Sequence, residues 1–210
     1  RSVLYIPGSN ERALEKARTL AADAIIFDLE DAVSIDSKSY ARELLASALA
    51  DGGYGHRLRI VRINGFDTPW GDADLDALAA VGPDAILLPK VDAITALEEL
   101  ARRLDAIPAA QDTATWAMME TPIGILNAQS IANGPRLAGF VLGTNDLAKD
   151  LGARFRPDRL PMMSSLQHTL LAARAAGIVC VDGVYNAFRD QDGLRAECEQ
   201  GRDLGFDGKT

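Results

Sequence analysis

Several side chains of types that bind cations or handle charge stand where an apolar run stops: Arg62, Lys90, Glu120 and Asp146. Glu120 directly follows the apolar run 115–119, and Asp146 lies just past the run 139–142. A carboxylate in such a place is desolvated unless a cation neutralises it. Two of them make a natural Mg²⁺ site, because Mg²⁺ takes one or two protein carboxylates and leaves its other octahedral positions to water and ligand oxygens. Pairing of either carboxylate with Arg62 or Lys90 is the alternative, and the residues alone leave both open.

Arg62 closes the run 58–63, where strand alternation puts Arg59 and Arg62 on opposite faces. An inward guanidinium suits a ligand carboxylate or a developing oxyanion, which its planar fork can bind in two-pronged fashion. A salt bridge to a neighbouring strand-end carboxylate is the competing use. Lys90 invites comparison with imine-forming lysines. The carboxylates on the next two strands instead favour a metal as electron sink, and Lys90 can equally orient Glu30 or Asp31. Arg12 and Lys16 are four apart, so they share one helical face. With the helix N-terminus they can hold phosphates, or they can form solvated pairs with Glu11 and Glu15. Ser9, Asn10 and Asp36 read best as helix caps. The cluster 52–55, Gly-Gly-Tyr-Gly, precedes a strand and is no nucleotide fingerprint.

Positioning these groups requires strands, and short apolar runs occur at 3–6, 24–27, 58–63, 85–88, 115–119, 139–142 and 178–181. Helix-like stretches alternate with them at 11–20, 37–50, 75–81, 93–104, 123–132, 159–175 and 190–204. The pattern implies an α/β fold with a parallel sheet covered by helices, and so many units favour a (β/α)₈ TIM barrel over a doubly wound sheet. Polar residues follow six strands in turn, which is where such barrels keep their chemistry. Residues 205–210 look like the approach to an eighth strand that is cut off, since a whole barrel usually takes about 250 residues. A single domain over 1–210, with the eighth strand and C-terminal segment missing, is therefore expected.

The chain has 210 residues, 48% hydrophobic and 25% charged, with no apolar stretch near the ~20 residues of a membrane span and no secretory leader pattern. A cytoplasmic location follows as an expectation. The net charge of −8 argues against nucleic acid as a partner. Cys180 and Cys198 have neither disulfide-framework nor zinc spacing. With only two histidines, His56 and His168, proton transfer or metal binding falls to carboxylates.

The segments Tyr5-Ile6-Pro7-Gly8-Ser9-Asn10, Phe27-Asp28-Leu29-Glu30-Asp31-Ala32-Val33, Val61-Arg62-Ile63-Asn64, Leu88-Pro89-Lys90-Val91, Met119-Glu120-Thr121-Pro122 and Gly143-Thr144-Asn145-Asp146 together resemble the citrate lyase β-subunit-like family. This group includes malyl-CoA and citramalyl-CoA lyases and related thioesterases. The resemblance covers essentially the whole chain and implies Mg²⁺ ligands at Glu120 and Asp146, with Arg62 on the substrate. It implies coenzyme A contacts at Tyr5, Arg12 and Lys16.

The implied reaction cleaves a 3-hydroxyacyl-CoA thioester into a 2-oxo acid and a shorter acyl-CoA, with Glu30 and Asp31 as candidates for proton transfer. Two alternatives stand beside it: a malyl-CoA-type thioesterase, and a citrate lyase β subunit acting on an acyl-carrier protein within a complex. Metal-dependent aldolases of the wider superfamily carry histidine where this chain has Asp31, which favours the thioester-cleaving branch. The resemblance further implies a homotrimer and a C-terminal acidic residue that these residues do not include.

Overall fold

The computed structural model describes all 210 residues. Its strands are ordered in the sheet as in the chain, β1 through β8, which is the strand order of the (β/α)₈ class. No helix is long and apolar enough to cross a membrane. By internal contacts the chain divides into two compact units.

One unit comprises Ser2–Pro89 and Glu99–Thr115. Its strands β1 (Val3–Pro7), β2 (Ala24–Asp28), β3 (Leu58–Arg62) and β4 (Ala85–Leu88) pair in parallel. The crossovers are α1 (Glu11–Ala17), α2 (Lys38–Asp51) and α3 (Gly71–Ala79). Every residue of β2 and of β4 is buried, as expected of parallel strands covered on both faces. The register sets Pro7 against Asp28, Asp28 against Arg62 and Arg62 against Leu87, so β1, β2 and β3 finish level and β4 runs one residue further. Asn10 caps α1 as expected, its side-chain oxygen accepting from Ala13 N at 3.1 Å. Asp36 does not cap α2: it lies inside a 3₁₀ turn, Ile35–Ser37, that runs straight into the helix, so backbone geometry defines the helix start.

The other unit comprises Arg1, Lys90–Glu98 and Trp116–Thr210. Helix α4 (Ile94–Asp105) and strand β5 (Ala114–Met119) contribute residues to both units. Next come α5 (Pro122–Leu126), α6 (Ala128–Ile131), β6 (Leu137–Leu142), α7 (Thr144–Asp150), α8 (Met163–Ala176), β7 (Val179–Asp182), α9 (Gln191–Leu204) and β8 (Gly208–Lys209). The core of this unit includes Phe140, Val141, Leu147, Leu166 and Cys180, all fully buried. The end of β7 is pinned by Asp182, whose two carboxylate oxygens accept from Arg159 Nη1 at 2.7 Å.

Three expectations change here. The eighth strand is present: Gly208 and Lys209 pair in parallel with Val181 and Asp182, and Lys209 N donates to Arg1 O at 2.9 Å. A Gly-Lys strand carries no apolar run, so its pattern gives no signal. The single helix expected at 123–132 is two, broken at Asn127. The segment Gly143-Thr144-Asn145-Asp146, expected only as polar residues following the sixth strand, opens an unforeseen helix, α7, with Gly143 at its N-cap and Asp146 in the first turn. A carboxylate is favoured there by the partial positive charge of the helix N-terminus.

Candidate active site

Because β2 and β3 end level, Asp28 meets Arg62 directly. Arg62 Nε and Nη2 donate to the Asp28 oxygens at 2.7 and 2.6 Å, and both residues are buried. Asp28 also accepts from the backbone N–H groups of Glu30 at 2.9 Å and Ala32 at 3.1 Å, which curls the chain beyond β2 back over the pair. Glu30 thereby reaches Arg62 Nη1 at 2.8 Å, and Asp31 lies 3.6 Å from the same nitrogen. The Tyr5 ring stands 5.1 Å from the guanidinium carbon. Burial alone would push the guanidinium down, but the bonds and charge of Asp28, with Tyr5 and Glu30, raise it above its ordinary value. Arg62 stays charged at every working pH.

The sequence-derived residues Arg62, Glu30, Asp31 and Tyr5 thus come together, and Asp28 joins them unforeseen. The guanidinium's Nε/Nη2 edge makes the strand-end salt bridge weighed above. Nη1 is the nitrogen that faces Glu30 and Asp31. Glu30 is mostly shielded, with 12% of its side chain exposed, against 64% for Asp31. The two carboxylates therefore differ in solvation, a condition that separates the roles of paired acids.

Beneath this group lies a second polar cluster in the same unit. Lys38, 6% exposed, donates from Nζ to Leu29 O at 2.8 Å, Glu30 O at 2.6 Å and Asn64 Oδ1 at 2.8 Å. Desolvation lowers its pKa, although Glu30, Asp28, Asp74 and Asp31 pull it upward. Asn64 Nδ2 donates to Leu29 O and to Asp74, and Asp74 also accepts from Arg42 Nε at 2.8 Å.

In the other unit, Glu120 follows β5 and is 2% exposed. One of its oxygens accepts from Lys90 N at 2.8 Å, and Lys90 Nζ stands 3.4 Å from Asp146 Oδ2. Lys90 makes both contacts from a left-handed backbone, φ +49°, which non-glycine residues rarely adopt. A Cβ on Gly143 would collide with Glu120 Oε2 and Cβ, so the glycine leaves a cradle in which the carboxylate sits. No group of three or more His, Cys, Asp and Glu is arranged to hold a metal. Mg²⁺ needs only one or two carboxylates. Glu120 and Asp146 fit that number, both bordering Lys90 with Glu120 buried, while the half-exposed Lys90–Asp146 ion pair is the pairing weighed above as the alternative, which a bound Mg²⁺ would have to displace or share.

Arg12 and Lys16 line a cleft of about 620 Å³ with Glu15, Arg18, Ser47 and Asp51. Both are exposed, and Glu15 pairs with Arg18 at 2.9 Å instead of with either of them. Tyr5 is absent from this lining and packs on Arg62.

A family model described as HpcH/HpaI aldolase/citrate lyase matches residues 1–210. The (3S)-malyl-CoA thioesterase of Cereibacter sphaeroides (strain KD131 / KCTC 12085) is 65% identical over 210 residues, covering 100% of this chain and 72% of the relative. The citrate lyase beta subunit from M. tuberculosis, solved with oxaloacetate and magnesium, superposes with a TM-score of 0.84 at 31% identity, over 99% of this chain and 88% of that one. CitE from Mycobacterium tuberculosis with magnesium, acetoacetate and coenzyme A gives 0.82 at 30% identity, over 99% and 74%.

Proposed function

Because the chain belongs to the HpcH/HpaI aldolase/citrate lyase family, we propose that it is a Mg²⁺-dependent enzyme that hydrolyses a malyl-CoA-type thioester to the free hydroxy acid and coenzyme A. The observation that carries the choice of reaction is the 65% identity, spanning all 210 residues, to a (3S)-malyl-CoA thioesterase. The carbon-carbon lyase is the second reading, favoured by the 31% likeness to a citrate lyase beta subunit.

Both reactions draw on the same residues. Glu120 and Asp146 are the ligands proposed for Mg²⁺, which when bound supplies Lewis-acid polarisation of ligand oxygens. Arg62 Nη1 offsets the negative charge that develops on a carbonyl or alkoxide oxygen. Glu30, held against Nη1, is the base: it takes the proton of the attacking water in hydrolysis, or of the substrate hydroxyl in carbon-carbon cleavage. Asp31, the better solvated acid, exchanges protons with solvent. In hydrolysis, the water oxygen bonds to the thioester carbon, the C–S bond breaks, and the departing thiolate takes up a proton. The cleft beside Arg12 and Lys16 receives the phosphates of coenzyme A, which two exposed cations without ion pairs suit.

Incubation with (3S)-malyl-CoA and Mg²⁺ tests the proposal. Malate with free coenzyme A is expected. Glyoxylate with acetyl-CoA would replace hydrolysis by the lyase reading, and a substrate left intact would overturn both.

A further inference from the structure

Lys38 opens α2, a position where a lysine ordinarily extends into water, yet it is 6% exposed and points under the ends of β2 and β3. A buried lysine is uncommon unless it is paired. Here an ammonium with three N–H groups meets three acceptors, Leu29 O, Glu30 O and Asn64 Oδ1, all within 2.8 Å. Two of those acceptors belong to the turn that follows Asp28, and the third lies two residues beyond Arg62. The Trp70 ring, 5.5 Å from Nζ, shields the charge from another side. Asn64 is itself fixed by Asp74, which is fully buried and held by Arg42, one turn after Lys38 on the same helix.

We propose that Lys38 is a positioning residue: by gripping Leu29 O, Glu30 O and Asn64 Oδ1 at once, it sets the distance between the Glu30 carboxylate and Arg62 Nη1. The proposal rests on the roles given above to Glu30 and Arg62. Nothing in it requires Lys38 to touch substrate. The ammonium suits the task because its donors radiate from one nitrogen and can converge on three oxygens, whereas a planar guanidinium cannot. A methionine of similar length fills the space but leaves the Asn64 amide oxygen without its donor, while Leu29 O and Glu30 O, which keep Asn64 Nδ2 and Val33 N as donors, lose the tie that holds them together.

The test measures kcat and KM for malyl-CoA, and Mg²⁺ affinity, in the full chain carrying Lys38→Met, Glu30→Gln, both together, or Lys38→Arg. Lys38→Met is expected to lower kcat about a hundredfold, the scale of an ångström-level misplacement of a catalytic group, with KM and Mg²⁺ affinity unchanged. The double variant is expected to be no slower than Glu30→Gln alone, because both changes disable the same carboxylate. A merely structural lysine would give losses that multiply, and that outcome overturns the proposal. Should Lys38→Met fail to fold, Lys38→Arg carries the test: a reduced kcat supports the geometric claim, and a wild-type kcat defeats it. Glu30→Gln at full activity would overturn the reading of Glu30, and the proposal with it. A slow Glu30→Gln beside a fully active Lys38→Met would overturn the proposal alone.

Discussion

Asp28 and Arg62 sit directly opposite one another in the β2–β3 register, with both nitrogens of one guanidinium edge on the two carboxylate oxygens. Removing one partner of a buried pair is costly, and here Glu30 and Asp31 face only Nη1, which leaves the buried Nε/Nη2 edge of Arg62 without its carboxylate. Asp28→Asn is therefore expected to cost about 3–5 kcal/mol of unfolding free energy. Urea denaturation measures this, and a loss under about 1 kcal/mol, the scale of an exposed pair, would contradict the buried clamp.

Glu120→Gln and Asp146→Asn should each weaken Mg²⁺ binding and remove turnover while leaving the circular dichroism spectrum native. Stripping the metal with a chelator should do the same, reversibly. Unchanged Mg²⁺ titrations in both variants would dismiss this pair as ligands.

Gly143→Ala reaches the same carboxylate from outside the ligand set. Its φ of −95° suits alanine, so the effect is steric: the new methyl must displace Glu120. Overpacking of this kind costs about 1–3 kcal/mol. Mg²⁺ affinity should fall roughly 10–100-fold, the range seen when a group supporting a metal ligand is disturbed. Calorimetric titration with Mg²⁺ reads the second number.

Lys16→Ala removes one exposed cation from the cleft beside α1 without touching the Arg62 group. KM for coenzyme A esters should rise roughly tenfold, equivalent to ~1.4 kcal/mol, with kcat unaltered. An identical KM would return Lys16 to the solvated surface.

Asp84 gives the fold an acid limit. Burial pulls its carboxyl upward, but the side-chain and backbone bonds from Arg59 outweigh that and hold it below its ordinary value. A depressed folded pKa means that the unfolded chain binds the proton more tightly. The contribution is thus complete above the ordinary carboxyl range and is lost as pH falls below about 4. Asp84→Asn should lower the urea midpoint at pH 6, and the gap from wild type should narrow at pH 3. Equal gaps at the two pH values would refute the linkage.

Six strand ends and their polar residues are legible in the sequence because apolar runs of β-strand length stop at charged side chains. Register is not, and it is register that makes Asp28 the partner of Arg62: the residue was visible within Asp28-Leu29-Glu30-Asp31, but nothing local says which acid faces across. Lys38 is hidden for a different reason. A lysine at a helix start has every propensity to be solvated, and only the third dimension reveals three acceptors around it. Helix α7 escaped because its opening residues carry a chemical motif, although Leu147 and Ala148 supply apolar residues at its centre. Residues 205–210 read as the approach to strand β8, but the strand itself reads as cut off because two residues cannot display a period.

Position 90 is filtered twice in any mutational drift of this chain. Its left-handed backbone excludes β-branched residues and is easiest for glycine or asparagine, either of which would still offer the N–H that Glu120 receives. Neither would carry a positive charge to Asp146. An exchange that relaxes the main chain at this point therefore keeps the donor to Glu120 but strips Asp146 of its cation, and a directed-evolution library at residue 90 would sort the strain of the backbone from the charge of the side chain.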